Sequence, residues 1–325
     1  MIDQTLRIVY MGTPDFAVPA LQRLIDAGAC LVAAVTQPDR PSGRHHETQA
    51  GPVAKLAAAH GIPVLQPLKL RTGEFAGTLA ALKPDLFVTA AYGRILPPDV
   101  LAIPRLGAVN IHGSLLPRHR GASPVHASIL AGDRETGVTV MLMDEGMDTG
   151  DILAQSSIPI EDEDTAETLM AKLAELGADM IIPVIDGLCK GTIKPVGQDE
   201  SQATTTHILS REDGQIDWSR SAAEINNQVR GLYPWPGAYT TIGRKRLKIH
   251  RARVLPPEME GTVSSFGLEP GTICACSPDA IRVACGSGVL ELLEIQTDAG
   301  RRLFCRDCAH NYRFGSRMGG KPDVD

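Results

Sequence analysis

The apolar runs of this 325-residue chain are short. Residues 31–35 and 85–91 have the length of strands, and nothing approaches the roughly 20 apolar residues of a membrane-spanning helix. The opening MIDQTLRIVYMGTPDF lacks a basic stretch followed by an apolar segment and a small-residue cleavage site. Neither export nor organelle import is therefore expected, and the reading is a cytoplasmic protein with no membrane partner. Gly12-Thr13-Pro14-Asp15-Phe16 lacks the glycine spacing of a dinucleotide fingerprint. There is also no GxxxxGK(S/T) phosphate loop, no HExxH zinc helix and no internal repeat. The seven cysteines are odd in number, which suits reduced thiols rather than a disulfide framework. Cys274-x-Cys276 and Cys305-x-x-Cys308 lack the matched spacing and Gly-rich turns of paired zinc knuckles, and His45-His46 has no ligand cluster beside it. No metal is expected.

What is present suits two soluble domains. The net charge of −6 is unevenly spread: residues 208–325 carry 16 Lys and Arg against 14 Asp and Glu, and residues 1–207 carry 16 against 24. An acidic first part joined to a mildly basic second part permits a local nucleic-acid footprint.

The first part alternates strand-like and helix-like segments. Residues 6–10, 31–35, 85–90 and 108–111 read as strands. Residues 16–27, 53–60 and 123–131 read as helices closed by Gly28, Gly61 and Gly132, the last opened by a Ser123 cap. This predicts a mostly parallel sheet covered by helices, with chemistry in the loops after Tyr10, Ala91 and Ile111. Residues 136–143 and 152–160 follow as paired strands. Asp164 and Glu167 then suggest a capping box, Leu169, Leu173, Leu176 and Met180 recur at helical spacing, and Pro183 is expected to break that helix in two. The polar stretch 195–207 suits a linker between a catalytic domain at 1–194 and a second domain at 208–325. In the second domain, short strand-like segments between Gly and Pro have the texture of a small β-barrel.

The densest chemistry lies at Asn110-Ile111-His112-Gly113-Ser114-Leu115-Leu116-Pro117 and in the acidic loop ending Asp148-Thr149-Gly150-Asp151. Asn110 and His112, two apart at a strand end, share a face. Asn can donate to a developing oxyanion, His can move a proton from an amine to a leaving group, and a carboxylate can steady the cation. The spacing alone leaves a packed histidine, a turn asparagine and a turn aspartate as alternatives.

The chain resembles the methionyl-tRNA formyltransferase family along nearly its whole length. The likeness is carried by Gly12-Thr13-Pro14-Asp15-Phe16-Ala17, Thr36-Gln37-Pro38-Asp39-Arg40-Pro41, residues 91–97, 110–117, 120–124 and 148–151, Ile216-Asp217-Trp218 and Pro234-Trp235-Pro236. The resemblance implies a Rossmann-like α/β domain followed by an OB-fold-like barrel that helps hold tRNA. It also implies 10-formyltetrahydrofolate as co-substrate and initiator methionyl-tRNA as partner, and we expect a monomer. Asn110, His112 and Asp148 match the family's catalytic trio. Ser114, Leu115, Leu116 and Pro117 match its folate-contacting turn, and Ile95, Leu96, Pro97 and the stretch 140–146 look like walls of the pterin pocket. Arg44 matches a tRNA-docking loop, but His45-His46-Glu47 replaces the family's usual lysines, which weakens its expected grip on phosphate at alkaline pH.

Residues 244–253 carry six Lys and Arg and no acid. As a strand, this run puts Arg244, Arg246, Lys248 and His250 on one face, either as a charge-protected sheet edge or as a surface for tRNA phosphates. A formyltetrahydrofolate enzyme acting on an amino sugar or purine precursor would share the trio but need no basic barrel. An RNA-binding protein on a retired enzyme scaffold would not need the trio.

Overall fold

The computed structural model describes residues 2–42, 47–256, 259, 267–276, 279–298 and 300–319. Arg44, His45 and His46 lie outside the described residues. The chain divides into two compact units, 1–125 with 135–159 and 170–207, and 126–134 with 160–169 and 208–325.

The first unit is built on strands β1 (Arg7–Gly12), β2 (Cys30–Val35), β3 (Val64–Leu65), β4 (Leu86–Ala90), β5 (Ala108–His112), β6 (Glu135–Leu142) and β7 (Ile152–Pro159). Their order is β7-β6-β5-β4-β1-β2-β3. The five strands from β5 to β3 are parallel, whereas β6 runs antiparallel to both its neighbours. Continuous burial along β1 and β4 is the signature of a parallel sheet covered on both faces. Helices α1 (Val18–Asp26), α2 (Pro52–Ala59) and α3 (Glu74–Ala81) lie in the connections. Helix α3 and strand β3 were not anticipated from the sequence, being short and weakly patterned.

Helix α4 spans Pro124–Leu130 and α5 spans Ala166–Lys190. Helix α5 is a single 25-residue helix with Pro183 inside it, not two. Ile181, Val184 and Ile185 are buried on either side of the proline, and that apolar face holds the helix across the missing N–H bond. Its capping box sits one residue later than expected. Thr168 N–H donates to Thr165 Oγ1 at 3.2 Å, and Thr165 N–H donates to Thr168 Oγ1 at 3.0 Å. Asp164 instead accepts from the Thr168 hydroxyl and the Glu161 N–H.

The long last segment of the second unit begins at Ile208. Residues 160–169 belong with the second unit, where Arg230 donates to the carbonyls of Glu161 and Asp164 and Arg251 pairs with Glu163. The stretch read as a linker belongs to the first unit. Thr205–Thr206 pairs in parallel with Arg120–Gly121, and Val196 bridges Ile152. Polarity there reflects backbone and side-chain pairing, not a free tether.

The second unit holds α6 (Ala222–Gly231) and strands β8 (Ala238–Ile242), β9 (Lys245–Val254), β10 (Ile273–Cys276), β11 (Ile281–Ala284), β12 (Val289–Thr297) and β13 (Leu303–Phe304). The sheet order is β8-β9-β12-β11-β10, with β13 paired to β12. Helix α6 opens on a full capping box between Ser221 and Glu224. Glu291 on β12 is buried but lies 2.5 Å from Arg253 and 2.7 Å from Arg282. Burial raises its carboxyl, yet the two guanidinium bonds win and hold it below the usual range.

Residues 315–319 join the two edges of this sheet. Ile273 N–H donates to Ser316 O and Met318 N–H to Gly271 O on the β10 side, and Gly319 N–H donates to Thr241 O on β8. Trp218 sits behind the seam, its Nε1–H donating to Thr240 Oγ1 at 2.9 Å. Gly271 has φ +88°, and a Cβ there would meet Met318 O at 2.4 Å. Gly271→Ala should therefore cost at least about 2 kcal/mol, combining left-handed strain with a backbone clash. Thermal unfolding should show the loss as a lower Tm of the second unit, and an unchanged Tm would contradict the seam.

Candidate active site

The parallel strands end on one side of the first unit, where β5 delivers Asn110 and His112 and the loop after β6 delivers Asp148. Strand alternation sets the first two on one face, and both approach the same carboxylate. Asn110 Nδ2 lies 3.4 Å from Asp148 Oδ1, and His112 Nδ1 lies 3.6 Å from Asp148 Oδ2. The structure thus brings the three residues together from one strand and one loop.

Each group is oriented by a neighbour. Asn110 Oδ1 accepts from the Thr89 hydroxyl at 2.7 Å, so the amide turns its NH2 toward the site. His112 is buried, with Nε2 3.1 Å from the carbonyl oxygen of His119. A carbonyl can only accept, so Nε2 carries the proton. The other ring nitrogen, Nδ1, is turned toward Asp148 and the site. Asp148 Oδ2 also accepts from Gly121 N–H at 2.8 Å, and the residue adopts a left-handed conformation with φ 57°. Close behind it, a Cβ on Gly150 would meet Leu142 O at 1.8 Å, so only glycine lets the loop turn so tightly onto β6. A base, a donor and a carboxylate arranged this way can assist attack of an amine on a carbonyl carbon.

The turn at 114–117 is shaped from within. Ser114 is fully buried and its hydroxyl donates to Arg118 O at 2.7 Å. Thr139 Oγ1 donates to Ser114 O and accepts from Leu116 N–H, and Gln155 Nε2 donates to Leu116 O. Ser114 and Leu116 thus form the frame, while Leu115 and Pro117 are half-buried. Leu96 is buried in the apolar cluster that also holds Met11, Phe87 and Tyr92, with Met143 packed against it. Pro97 is buried, and Ile95 is exposed.

Thr89, Gln198 and Thr139 were missed by reading the sequence. Thr89 left one signal, a hydroxyl in the otherwise apolar LFVTA of β4, in register with Asn110. Gln198 left none, because its partners lie far away in sequence.

Strand β9 lies inside the sheet, pairing with β8 along 245–249 and with β12 along 247–254, so it is not an edge strand, although its 251–254 end pairs with β12 alone. Arg246 and Lys248 are exposed between buried Leu247 and Ile249, and Arg246 lies 4.2 Å from the Tyr239 ring centroid. Arg251 and Arg253 are paired with Glu163 and Glu291. His250 is half-buried against Gln296, and burial lowers its pKa, so it adds no charge to this face at neutral pH. Among the described residues no helix is long and apolar enough to cross a membrane, and no three His, Cys, Asp or Glu are grouped to hold a metal ion.

Residues 6–185 match the family described as formyl transferase, and residues 208–313 match its C-terminal domain. The methionyl-tRNA formyltransferase of Citrifermentans bemidjiense is 45% identical over 318 residues, which is 97% of this chain and 97% of that protein. That of Marinobacter nauticus is 47% identical over 302 residues, covering 93% and 95%. The solved structure of HypX from Aquifex aeolicus in complex with tetrahydrofolic acid is similar in fold. Its TM-score is 0.60 at 17% identity, over 93% of this chain and 46% of that longer protein.

Thr89→Val should leave the Asn110 carbonyl without its donor and lower stability by about 1 kcal/mol, the usual scale for one hydrogen bond. Urea denaturation measures it, and a variant as stable as the parent would remove the proposed anchor.

Proposed function

Because the chain belongs to the formyl transferase family, with methionyl-tRNA formyltransferases as relatives over nearly its whole length, we propose that it formylates the free amino group of initiator methionyl-tRNA from 10-formyltetrahydrofolate. It would act in the cytoplasm, as a monomer. The observation that carries this reading is the meeting of Asn110 and His112 on the Asp148 carboxylate.

The methionyl amine, with a reference pKa of about 7.7–8.0, is partly neutral at pH 7.5 and can attack the formyl carbon. Asn110, its carbonyl tied to Thr89, uses its NH2 group to stabilise the oxyanion as it forms. His112 takes the amine's proton on Nδ1 and passes it to the departing N10 nitrogen. Asp148 steadies the imidazolium in between. Residues of the 95–97 segment and the 114–117 turn would hold the folate, with Ile95, Leu115 and Pro117 the members with exposed surface. Arg246 and Lys248 would meet tRNA phosphates, with Arg44 contributing from the first unit.

The decisive experiment mixes the protein with charged initiator tRNA and 10-formyltetrahydrofolate and looks for formyl-methionine. Formylation of an amino sugar or purine precursor in its place would overturn the reading. In that assay His112→Ala or Asp148→Ala should cut turnover about a hundredfold or more, the scale of lost acid–base assistance. Near-normal turnover in both would remove the mechanism. Charge reversal by Arg246→Glu with Lys248→Glu should weaken tRNA binding and flatten the log–log salt slope by about two. An unchanged slope would show that β9 does not touch phosphate.

A further inference from the structure

The polar stretch 198–206 is a strap laid across both catalytic loops of the first unit. Gln198 Nε2 donates to Asp148 O at 2.9 Å and to Gly150 O at 2.8 Å. Its Oε1 accepts from Arg120 Nε at 3.0 Å and Nη2 at 2.8 Å. The amide can sit only this way round, since reversal would put NH2 against a guanidinium and oxygen against two carbonyls. Arg120 is itself buried and forks to Glu200, through Nη1 at 2.9 Å and Nη2 at 2.6 Å. Further along, Thr204 O accepts from Arg120 N–H and Thr204 Oγ1 from His119 N–H, both at 2.8 Å. The Thr206 hydroxyl donates to Arg120 O.

These contacts converge on the supports of the trio. His119 O fixes the His112 ring, and Gly121 N–H fixes the Asp148 carboxylate. Gln198 holds the Asp148 backbone in its left-handed conformation, which an aspartate does not hold cheaply alone. We propose that Gln198 is a positioning residue, which sets the Asp148 carboxylate opposite His112 and Asn110 by clamping the 148–150 turn to Arg120. The proposal deepens the formyl-transfer reading and rests on it for its kinetic consequence.

Two variants separate the parts of the clamp. Gln198→Glu keeps the acceptor for Arg120 but loses both donors, and Gln198→Met loses both functions without adding charge. In both, kcat for formyl-methionyl-tRNA should fall about tenfold or more, since displacement by roughly an ångström can cost about a hundredfold. KM for tRNA and folate should stay within about twofold. In an Asp148→Ala background the Gln198→Met change should make no further difference, because its effect runs through that carboxylate. Losses that multiply in the double variant would mark a merely structural role and overturn the proposal. So would kcat retained in Gln198→Met, which would blame added charge. Hydrogen exchange at the Gly121 amide reads the carboxylate's position without substrate. It should speed up about tenfold in either Gln198 variant, towards the rate in Asp148→Ala, and an unchanged rate would overturn the clamp. A wild-type protein that formylates nothing would end the functional reading alone, because the Gly121 amide still tests the clamp.

Discussion

Asp148 occupies a left-handed turn while its carboxylate accepts from Gly121 N–H and faces both Asn110 and His112. The rest of the first unit can be understood as the means of keeping that arrangement. A partly buried carboxylate without donors would be costly, and a non-glycine residue at positive φ is strained. Of the four non-glycine residues with positive φ among the described residues, Ala91, His119 and Asp148 lie in loops that follow sheet strands, while Lys83 lies before β4. Strain gathered at this place persists only where surrounding bonds fix it. Strand β4 supplies Thr89, β5 supplies the pair of site residues, and the segment after α5 supplies the strap.

Much of this fold was legible because its signals are local. Alternating apolar runs and glycine-closed helices marked β1, β2, β4, β5, α1 and α2 to within a few residues, and two-residue spacing placed Asn110 and His112 on one face. What escaped reading depends on distant partners. Residues 195–207 look like a linker by composition, yet their polar groups are spent on Arg120, Asp148 and Gly150. Pro183 suggested a break because sequence shows the lost hydrogen bond but not the burial of Ile181, Val184 and Ile185 around it. Helix α6 did carry a local mark, the Ser221–Glu224 capping box, hidden among short strand-like segments.

The basic run of β9 shows the same limit from the other side. Its charge pattern fits a protected sheet edge as well as a binding face, and only strand order separates them. Strand β9 lies between β8 and β12 in the sheet, paired to β8 along 245–249 and to β12 along 247–254. Arg251 and Arg253 are engaged with Glu163 and Glu291, whereas Arg244, Lys245, Arg246 and Lys248 at the β8 end are exposed. One run of sequence thus divides into structural and outward-facing charges.

The seam at 315–319 has a consequence for the order in which the protein matures on the ribosome. Among the described residues, 315–319 join strands β8 and β10, so until they arrive the second unit carries two open edges able to pair with another chain. The seven-stranded sheet of the first unit, by contrast, has all its strands by Pro159, and the strap follows by Thr206. A nascent chain halted between these points would carry the complete first sheet and strap together with a second unit whose edges are unsealed. Premature termination should then be tolerated by the first unit's fold and dangerous for solubility, making the late segment a safeguard of vectorial synthesis.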